Sequence, residues 1–447
     1  MRLSRDESLA IALRAAGLVP ADAAEVVVSS QSSALTRFAG NRIHQNVAET
    51  GTQVAIRAVI GSRTGSAETN RLDEASLVRC AAAAAEAARH APEDPGFPGL
   101  PGPAAEPAAL VASDPFTPFG ADARAEAARE IIGHSVARSL TAAGTVAAND
   151  YAVAVANTLG VAVATEAGDV RATVLSMGSR GGSGWASFLG RSAVDFLPST
   201  LGEQAAETAV RSEDPGSLDP GAYTVVLAPE AVSDILDFTG YLGFGAKSYA
   251  EGGSFLAEAL GTEIADTRVS IADDATHPQT IGLPFDFEGQ PRGRTPLIEA
   301  GIARGPVTDS YYAARLGVPN TGHALPAPNP YGPLPLNIVM EPGHTSLVDM
   351  VASVDRGVYV SRFHYVNVED PMKLVLTGMT RDGTFMIEGG EITTPLRNLR
   401  FTQSVLEAFR HVVAIGSERA LFGPGEGGAT LVPAMLIDRW AFTGQTG

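Results

Sequence analysis

The sequence predicts an α+β protein in two parts. An N-terminal α+β domain covers residues 1–218, and a mostly antiparallel, β-barrel- or sandwich-like C-terminal domain covers residues 219–447. Three observations lead there. The first 90 residues read helix, strands, helix, the pattern of an α layer on a sheet. Asp214-Pro215-Gly216 and Asp219-Pro220-Gly221 punctuate the chain near residue 218 with strong turn chemistry. Beyond them, short β-rich runs alternate with Gly/Pro turns, as in sandwiches and barrels.

In chain order, residues 5–17 pattern as a helix. Glu25–Ser30 (EVVVSS) is a short apolar run, and Gly40-Asn41 marks a polar turn. Thr52–Ile60 (TQVAIRAVI) alternates and is rich in β-branched residues, so it predicts a strand. Gly61–Gly65 predicts a hairpin turn, and Leu72–Arg89 an alanine-rich helix. Prolines recur between Pro92 and Pro118 and block helix and sheet interiors, which predicts a surface loop over about 92–118. A helix is expected from about Asp122 to Ala142. Strands follow at Val146–Asn157, Val161–Glu166 and Arg171–Met177, then a helix at Glu203–Arg211. In the second half, Tyr223–Leu227 opens a strand and Pro229-Glu230-Ala231 starts a helix. Further strands are expected at Val269–Ile271, Leu336–Met340, Val358–Val366, Phe385–Ile387 and Ala429–Ile437, with one helix at Gln403–His411.

Composition narrows the function classes. The formal net charge of -18 repels phosphate backbones and anionic lipid surfaces, so neither nucleic acid nor membrane is an expected partner. Aromatics are only 6% against 45% hydrophobic residues, so small side chains must build much of the core. The single cysteine, Cys80, forms no intrachain disulfide, which fits a reducing compartment. Met1–Ala10 lacks the apolar stretch of a signal peptide. The alanine run after Cys80 is too short and too polar to span a bilayer. A cytoplasmic location is expected.

The screen for catalytic motifs returns mostly negatives. No two of the eight histidines are spaced i, i+3 or i, i+4, so no helix presents paired imidazoles in an H-E-x-x-H arrangement. His277 lies near Asp273 and Asp274, and His344 near Glu341 and Asp349; both read as surface loop residues. Cys80 reads as a buried, inert thiol among alanines. Gly181–Trp185 lacks the final glycine of a nucleophile elbow and reads as a glycine-rich turn. Gly240–Ser248 (GYLGFGAKS) resembles a P-loop, but Ala246 displaces Lys247 and a helix precedes it where a strand should be. Gly423–Gly428 matches G-x-G-x-x-G but leads into a strand, so no helix N-terminus is available for a pyrophosphate.

The C-terminal half carries longer strings. VYVSRFHYVNVED (Val358–Asp370), LTGMTRDGTF (Leu376–Phe385), IEGGE (Ile387–Glu391) and LRNLRFT (Leu396–Thr402) follow in order. Upstream are FDFEG (Phe285–Gly289), TPLIEAG (Thr295–Gly301), YYAARLG (Tyr311–Gly317) and Asn320-Thr321-Gly322; Pro433 and Phe442-Thr443-Gly444 come later. Looser matches occur at Arg37–Ile43, Gly65–Ala67 and Asn157–Gly160. This succession resembles the TldD/PmbA family and spans most of the chain.

The resemblance implies an N-terminal α+β domain and a barrel-like C-terminal domain. It also implies that catalytic members bind zinc through an H-E-x-x-x-H helix and a late cysteine. Here the corresponding stretch, Ser233–Glu251, contains no histidine, and no cysteine follows Cys80. The chain is therefore similar to the PmbA branch, also called TldE, and is expected not to be catalytic alone. Neither catalytic nor metal-ligating residues are assigned to it, and zinc is expected in a TldD-like partner subunit. The expected function is that of a non-catalytic subunit in a heteromeric metallopeptidase that processes unfolded or modified peptides, with self-association also open. The alternatives are a peptidase with a non-standard metal site and a stand-alone peptide-binding protein. With ligands replaced by apolar residues, the helix is expected to pack as ordinary core. Arg362, His364 and Tyr365 on a predicted strand are the candidate peptide groove; alternation puts Arg362 and His364 on one face.

Overall fold

The structure, a computed structural model, describes residues 2–104 and 119–445. The N-terminal part contains α1 (Arg5–Ala16), β1 (Ala23–Ala39), β2 (Arg42–Ile60), β3 (Arg63–Thr69), α2 (Glu74–His90), α3 (Ala121–Ala137), β4 (Thr141–Asn157), β5 (Ala162–Met177), β6 (Ser183–Gly190) and α4 (Pro198–Arg211). The strands form one antiparallel sheet in the order β3-β2-β1-β4-β5-β6.

Strand alternation decides what each face does. Even-numbered residues of β1, β2 and β4 (Val26, Val28, Val54, Ile56, Ala154) pack under α1 and α2. Farther along, Phe38, Ala142, Val146 and Val170 pack under α3 and α4. Odd-numbered residues (Val27, Tyr151, Val153, Val155) form the opposite face and meet Leu283 and Phe285 of the second part. Small residues let the helices approach closely: a Cβ on Gly65 would lie 2.1 Å from the backbone nitrogen of Ala88. Ser4 and Glu7 form a capping box that starts α1.

The second part comprises β7 (Gly221–Leu227), α5 (Pro229–Gly243), α6 (Ala246–Ala250), α7 (Leu256–Ala259), β8 (Ile271–Asp274), β9 (Arg294–Glu299), β10 (Ile302–Ala303), α8 (Ser310–Leu316), β11 (Asn337–Met340), α9 (Leu347–Ala352), β12 (Arg356–Asp370), β13 (Val375–Glu388), β14 (Glu391–Pro395), β15 (Leu399–Ser404), α10 (Val405–Arg410), β16 (Val412–Gly425) and β17 (Gly428–Gln445). β7, β12, β13, β15 and β17 pair in sequence, and β17 pairs back to β7, so five strands close a barrel. β8 to β11 extend the sheet beyond β17. Phe363, Phe401 and Trp440 pack in its core, with the Phe363 and Trp440 rings stacked at 5.3 Å.

The α+β class and the barrel-bearing second half agree with the sequence reading. Several local expectations change. The helix placed at Asp122–Ala142 stops at Ala137, because Ser139 turns at φ 58° and Thr141 already belongs to β4. The two strands expected between Val161 and Met177 are one strand, β5. Gln403 and Ser404 belong to β15, not to the helix that follows. Residues 91–104 carry neither helix nor strand, and residues 105–118 of the expected loop lie outside the described residues. Among the described residues, no helix is long and apolar enough to cross a membrane.

Candidate functional site

Helix α5 starts with Pro229 in its first turn, where a missing N–H costs nothing. Val232, Ile235 and Leu236 are buried against the barrel core. Glu230, Asp234 and Asp237, spaced i, i+4, i+7, share the opposite stripe. α5 is thus not ordinary core, contrary to the expectation. It presents Glu230 to β6 of the N-terminal sheet, Asp234 to the bend in β12 and Asp237 to β17.

Each carboxylate is engaged. Glu230 Oε1 accepts from Trp185 Nε1 at 2.7 Å and from Ser187 Oγ at 3.3 Å. Asp234 Oδ2 accepts the Phe363 backbone N–H at 2.8 Å, and Asp237 Oδ1 accepts from Thr430 Oγ1 at 2.5 Å. Partial burial raises the Glu230 and Asp234 carboxyls and pushes Asp234 up to about 8, with Glu230 and the more exposed Asp237 adding like charge. The nearest cation is Arg362. Its guanidinium lies 4.2 Å above the Trp185 ring and 3.2 Å from Asp382 Oδ2. Asp382 also accepts from Ser183 Oγ at 2.6 Å. Trp185, Ser187 and Ser183 come from β6, so this wall joins the two sheets.

Zinc does not fit these donors. α5 has no imidazole or thiolate, and Cys80 sits in α2 of the other sheet layer, buried among alanines. The described residues contain no group of three or more His, Cys, Asp or Glu placed to hold a metal ion.

The three groove candidates part company. Arg362 turns inward against Trp185, with its side chain 15% exposed. His364 is exposed, and burial followed by Arg381 and Arg362 lowers its pKa. Tyr365 is 79% exposed at φ 55°, within a bulge between His364 and Asn367. β12 pairs with β7 only over Val358–Val360, so beyond Val360 that edge has no strand partner among the described residues.

A second buried cluster lies behind the barrel extension. Asp273 on β8 stands 2.9 Å from Arg292 and 3.0 Å from His323 Nε2, and its second oxygen accepts the Leu336 and Asn337 N–H groups at 2.7 Å. Burial would raise Asp273, but the Arg292 and His323 charges outweigh it and hold the carboxyl well below its ordinary range. Burial in turn lowers His323. His277, read from the sequence as a loop residue near Asp273 and Asp274, follows β8 in a turn and meets Arg419 at 3.1 Å.

The rejected motifs find structural roles. The run Gly423–Gly428 is the tip of the β16–β17 hairpin, driven against the N-terminal sheet. Asp169 accepts the Glu426 N–H at 2.9 Å, Gln31 donates to Glu426, and Arg171 donates to the Pro424 carbonyl. Gly425, at φ 83°, would put a Cβ 3.0 Å from Asp169. Gly184 lies in β6, not in a turn, because a Cβ there would strike the Ala205 carbonyl of α4 at 2.1 Å. Glu230, Asp234 and Asp237 escaped the sequence reading; their helical spacing on an otherwise apolar segment was the available signal.

Residues 220–444 match the PmbA/TldA metallopeptidase C-terminal domain, and residues 24–88 match domain 1 of the same group. A metalloprotease of Methanothermobacter thermautotrophicus is 27% identical over 54% of this chain and 52% of its own length. A zinc metalloprotease TldD homologue of Saccharolobus solfataricus is 30% identical over 46% of each chain. The metalloprotease PmbA of Escherichia coli O157:H7 is 25% identical over 57% of this chain and 54% of its own. The chain thus spans about half the length of the curated relatives it matches. The crystal structure of TldE from Thermococcus kodakarensis superposes with a TM-score of 0.87 at 18% identity, covering 97% of this chain and 99% of that one. A candidate modulator of a DNA gyrase from Thermotoga maritima gives 0.81 at 20% identity, covering 94% and 96%. These two likenesses concern the fold.

Proposed function

Because this chain belongs to the PmbA/TldD metallopeptidase family, we propose that it is the non-catalytic, TldE-like subunit of a heteromeric peptidase acting on unfolded or modified peptides. The observation that carries this reading is α5: it offers Glu230, Asp234 and Asp237, hydrogen-bonded and held in raised-pKa surroundings, and no imidazole or thiolate. Zinc hydrolysis needs about three ionised or neutral-imidazole ligands and an open position for water. In this reading the zinc and the hydrolytic water belong to a TldD-like partner, which holds the metal and activates the water there. This chain supplies a wall of the peptide-holding space. The β12 edge beyond Val360, flanked by Arg362, His364 and Tyr365, offers main-chain groups past Phe363, whose N–H is held by Asp234, for pairing with an extended peptide.

The test is reconstitution. The purified chain, a histidine-bearing homologue and their mixture are each assayed for bound zinc and for cleavage of an unfolded peptide. The expected result is no stoichiometric zinc and no cleavage by this chain alone, with cleavage by the mixture exceeding that of the homologue. Zinc bound one-to-one by this chain, with cleavage in the absence of a partner, would overturn the assignment.

A further inference from the structure

Between the two parts of the molecule, on the side away from Trp185, lies an open cavity of about 540 Å³. That is within the usual range for small-ligand sites. One end is set by Arg57 of β2 and by Glu288 and Asp309 of the second part. Arg57 donates to Glu25 at 3.0 Å and to Glu288 at 3.1 Å, which leaves its Nε buried without a partner. Glu288 accepts the Ser310 N–H at 3.0 Å. Asp309 caps α8 by accepting the Tyr312 N–H through Oδ1 at 2.8 Å, which leaves Oδ2 without a protein donor among the described residues. Burial, with Glu288 nearby, raises the Asp309 carboxyl to about 6.

Lys247 on α6 also lines the cavity. It is one of only two lysines in the chain, and it belongs to the P-loop-like string that the fold leaves without a phosphate role. Its Nζ donates to the Pro330 carbonyl at 2.6 Å and makes no ion pair among the described residues. Tyr312 spans the interval: its backbone is held by Asp309, and its ring lies beside Lys247 at Gly332, where a Cβ would be 2.6 Å from Lys247 and 3.4 Å from the ring. The cavity therefore has an acid end short of positive charge, a cation without a counter-ion, and an aromatic wall between them.

We propose that this cavity binds a free dipeptide in its zwitterionic form, the ammonium at Asp309 and the carboxylate at Lys247. Charge-assisted hydrogen bonds at both ends fix the orientation, and the Tyr312 ring walls the interval between them. The proposal stands on the cavity alone and does not depend on the non-catalytic reading.

Titration calorimetry on the purified full chain tests it, with L-alanyl-L-leucine, its N-acetyl form and its C-terminal amide as probes. Saturable one-to-one binding of the free dipeptide is expected, weakened about tenfold or more by either cap. Lys247→Gln is expected to weaken the free dipeptide by a similar factor, to leave the amide's affinity unchanged, and to leave the melting temperature unchanged. This variant separates charge recognition from folding, which Asp309→Asn, at a helix cap, does not. A folded chain that shows no saturable binding at about 5 mM dipeptide, equal affinities for capped and free forms, or indifference to Lys247→Gln would each overturn the proposal. Zinc and cleavage are not measured, so this failure is distinct from a failure of the subunit assignment.

Discussion

Two carboxylate sites in the second part of the molecule, one fully buried and one half-exposed, are built by different logic. At Asp273, an arginine, an imidazole and two backbone N–H groups converge on one carboxylate, so burial and ionisation coexist. Along α5, three carboxylates share a stripe with a single nearby guanidinium, which is already committed to Asp382. The first arrangement cements β8 to the loops carrying Arg292, His323 and Leu336. The second leaves a proton on Asp234 where the two parts meet, a costly state that folding alone does not demand. The contrast is thus between a fully buried carboxylate with a complete set of donors and half-exposed acids with an incomplete one.

The largest effect that would sharpen this contrast is at the neutralised cluster. Arg292→Leu leaves Asp273 buried without its guanidinium, with only His323 and two N–H groups facing it, and is expected to lose about 3 kcal/mol in urea unfolding. A loss under about 1 kcal/mol would mean that Asp273 is not held as the geometry implies.

The pH response comes next. Glu25, Asp286, Asp309 and Asp234 have folded pKa values of about 7, 7, 6 and 8, above those of the unfolded chain. The folded state therefore holds more protons between about pH 4 and 8, and stability falls as pH rises through that window. A melting series from pH 5 to 8 is expected to show declining stability, on the order of several kcal/mol in total. Asp234→Asn should flatten part of that decline and stabilise the protein at pH 8 by about 1–3 kcal/mol. Asp273→Asn should destabilise it at both ends of the series. A flat profile, or the same sign for both variants, would erase the distinction.

Smaller is Trp185→Phe, which removes the indole donor to Glu230 and the best face for Arg362; about 1–2 kcal/mol is expected. Smallest in stability are His364→Ala and Tyr365→Ala, within about 0.5 kcal/mol because both side chains are exposed. Those two should nonetheless slow peptide cleavage by the reconstituted complex. Unchanged cleavage, in them and in a combined Arg362 and His364 variant, would remove the groove from the β12 edge.

Much of the fold was legible from residue patterns. Alternation in Thr52–Ile60, alanines in Glu74–His90 and the Asp-Pro-Gly turns before Gly221 each marked a real element. The short reading of Glu25–Ser30 failed because β1 continues through Gln31, Ser32 and Ser33, polar residues that a sheet tolerates where one face opens beyond the packed core. Gly184 hid β6 because its bareness answers a neighbouring helix and not a turn. At the candidate site the missing histidines were plain. The acids on α5 were not, because their meaning depends on Trp185, Arg362 and Thr430, which approach from 45 to 193 residues away. His323 was unreadable for the same reason: a lone imidazole acquires its role only when Asp273 arrives.

The seam between β7 and β17 also dictates an order of assembly during synthesis. The first sheet and its four covering helices are complete once Arg211 has left the ribosome, and their pairings are mostly between neighbours in sequence. The barrel cannot close then, because β7 awaits a strand translated some two hundred residues later. Until then β7 is nascent chain with an unfilled hydrogen-bonding edge, and the finished sheet, with its apolar odd-numbered face, is a surface already available to shelter it.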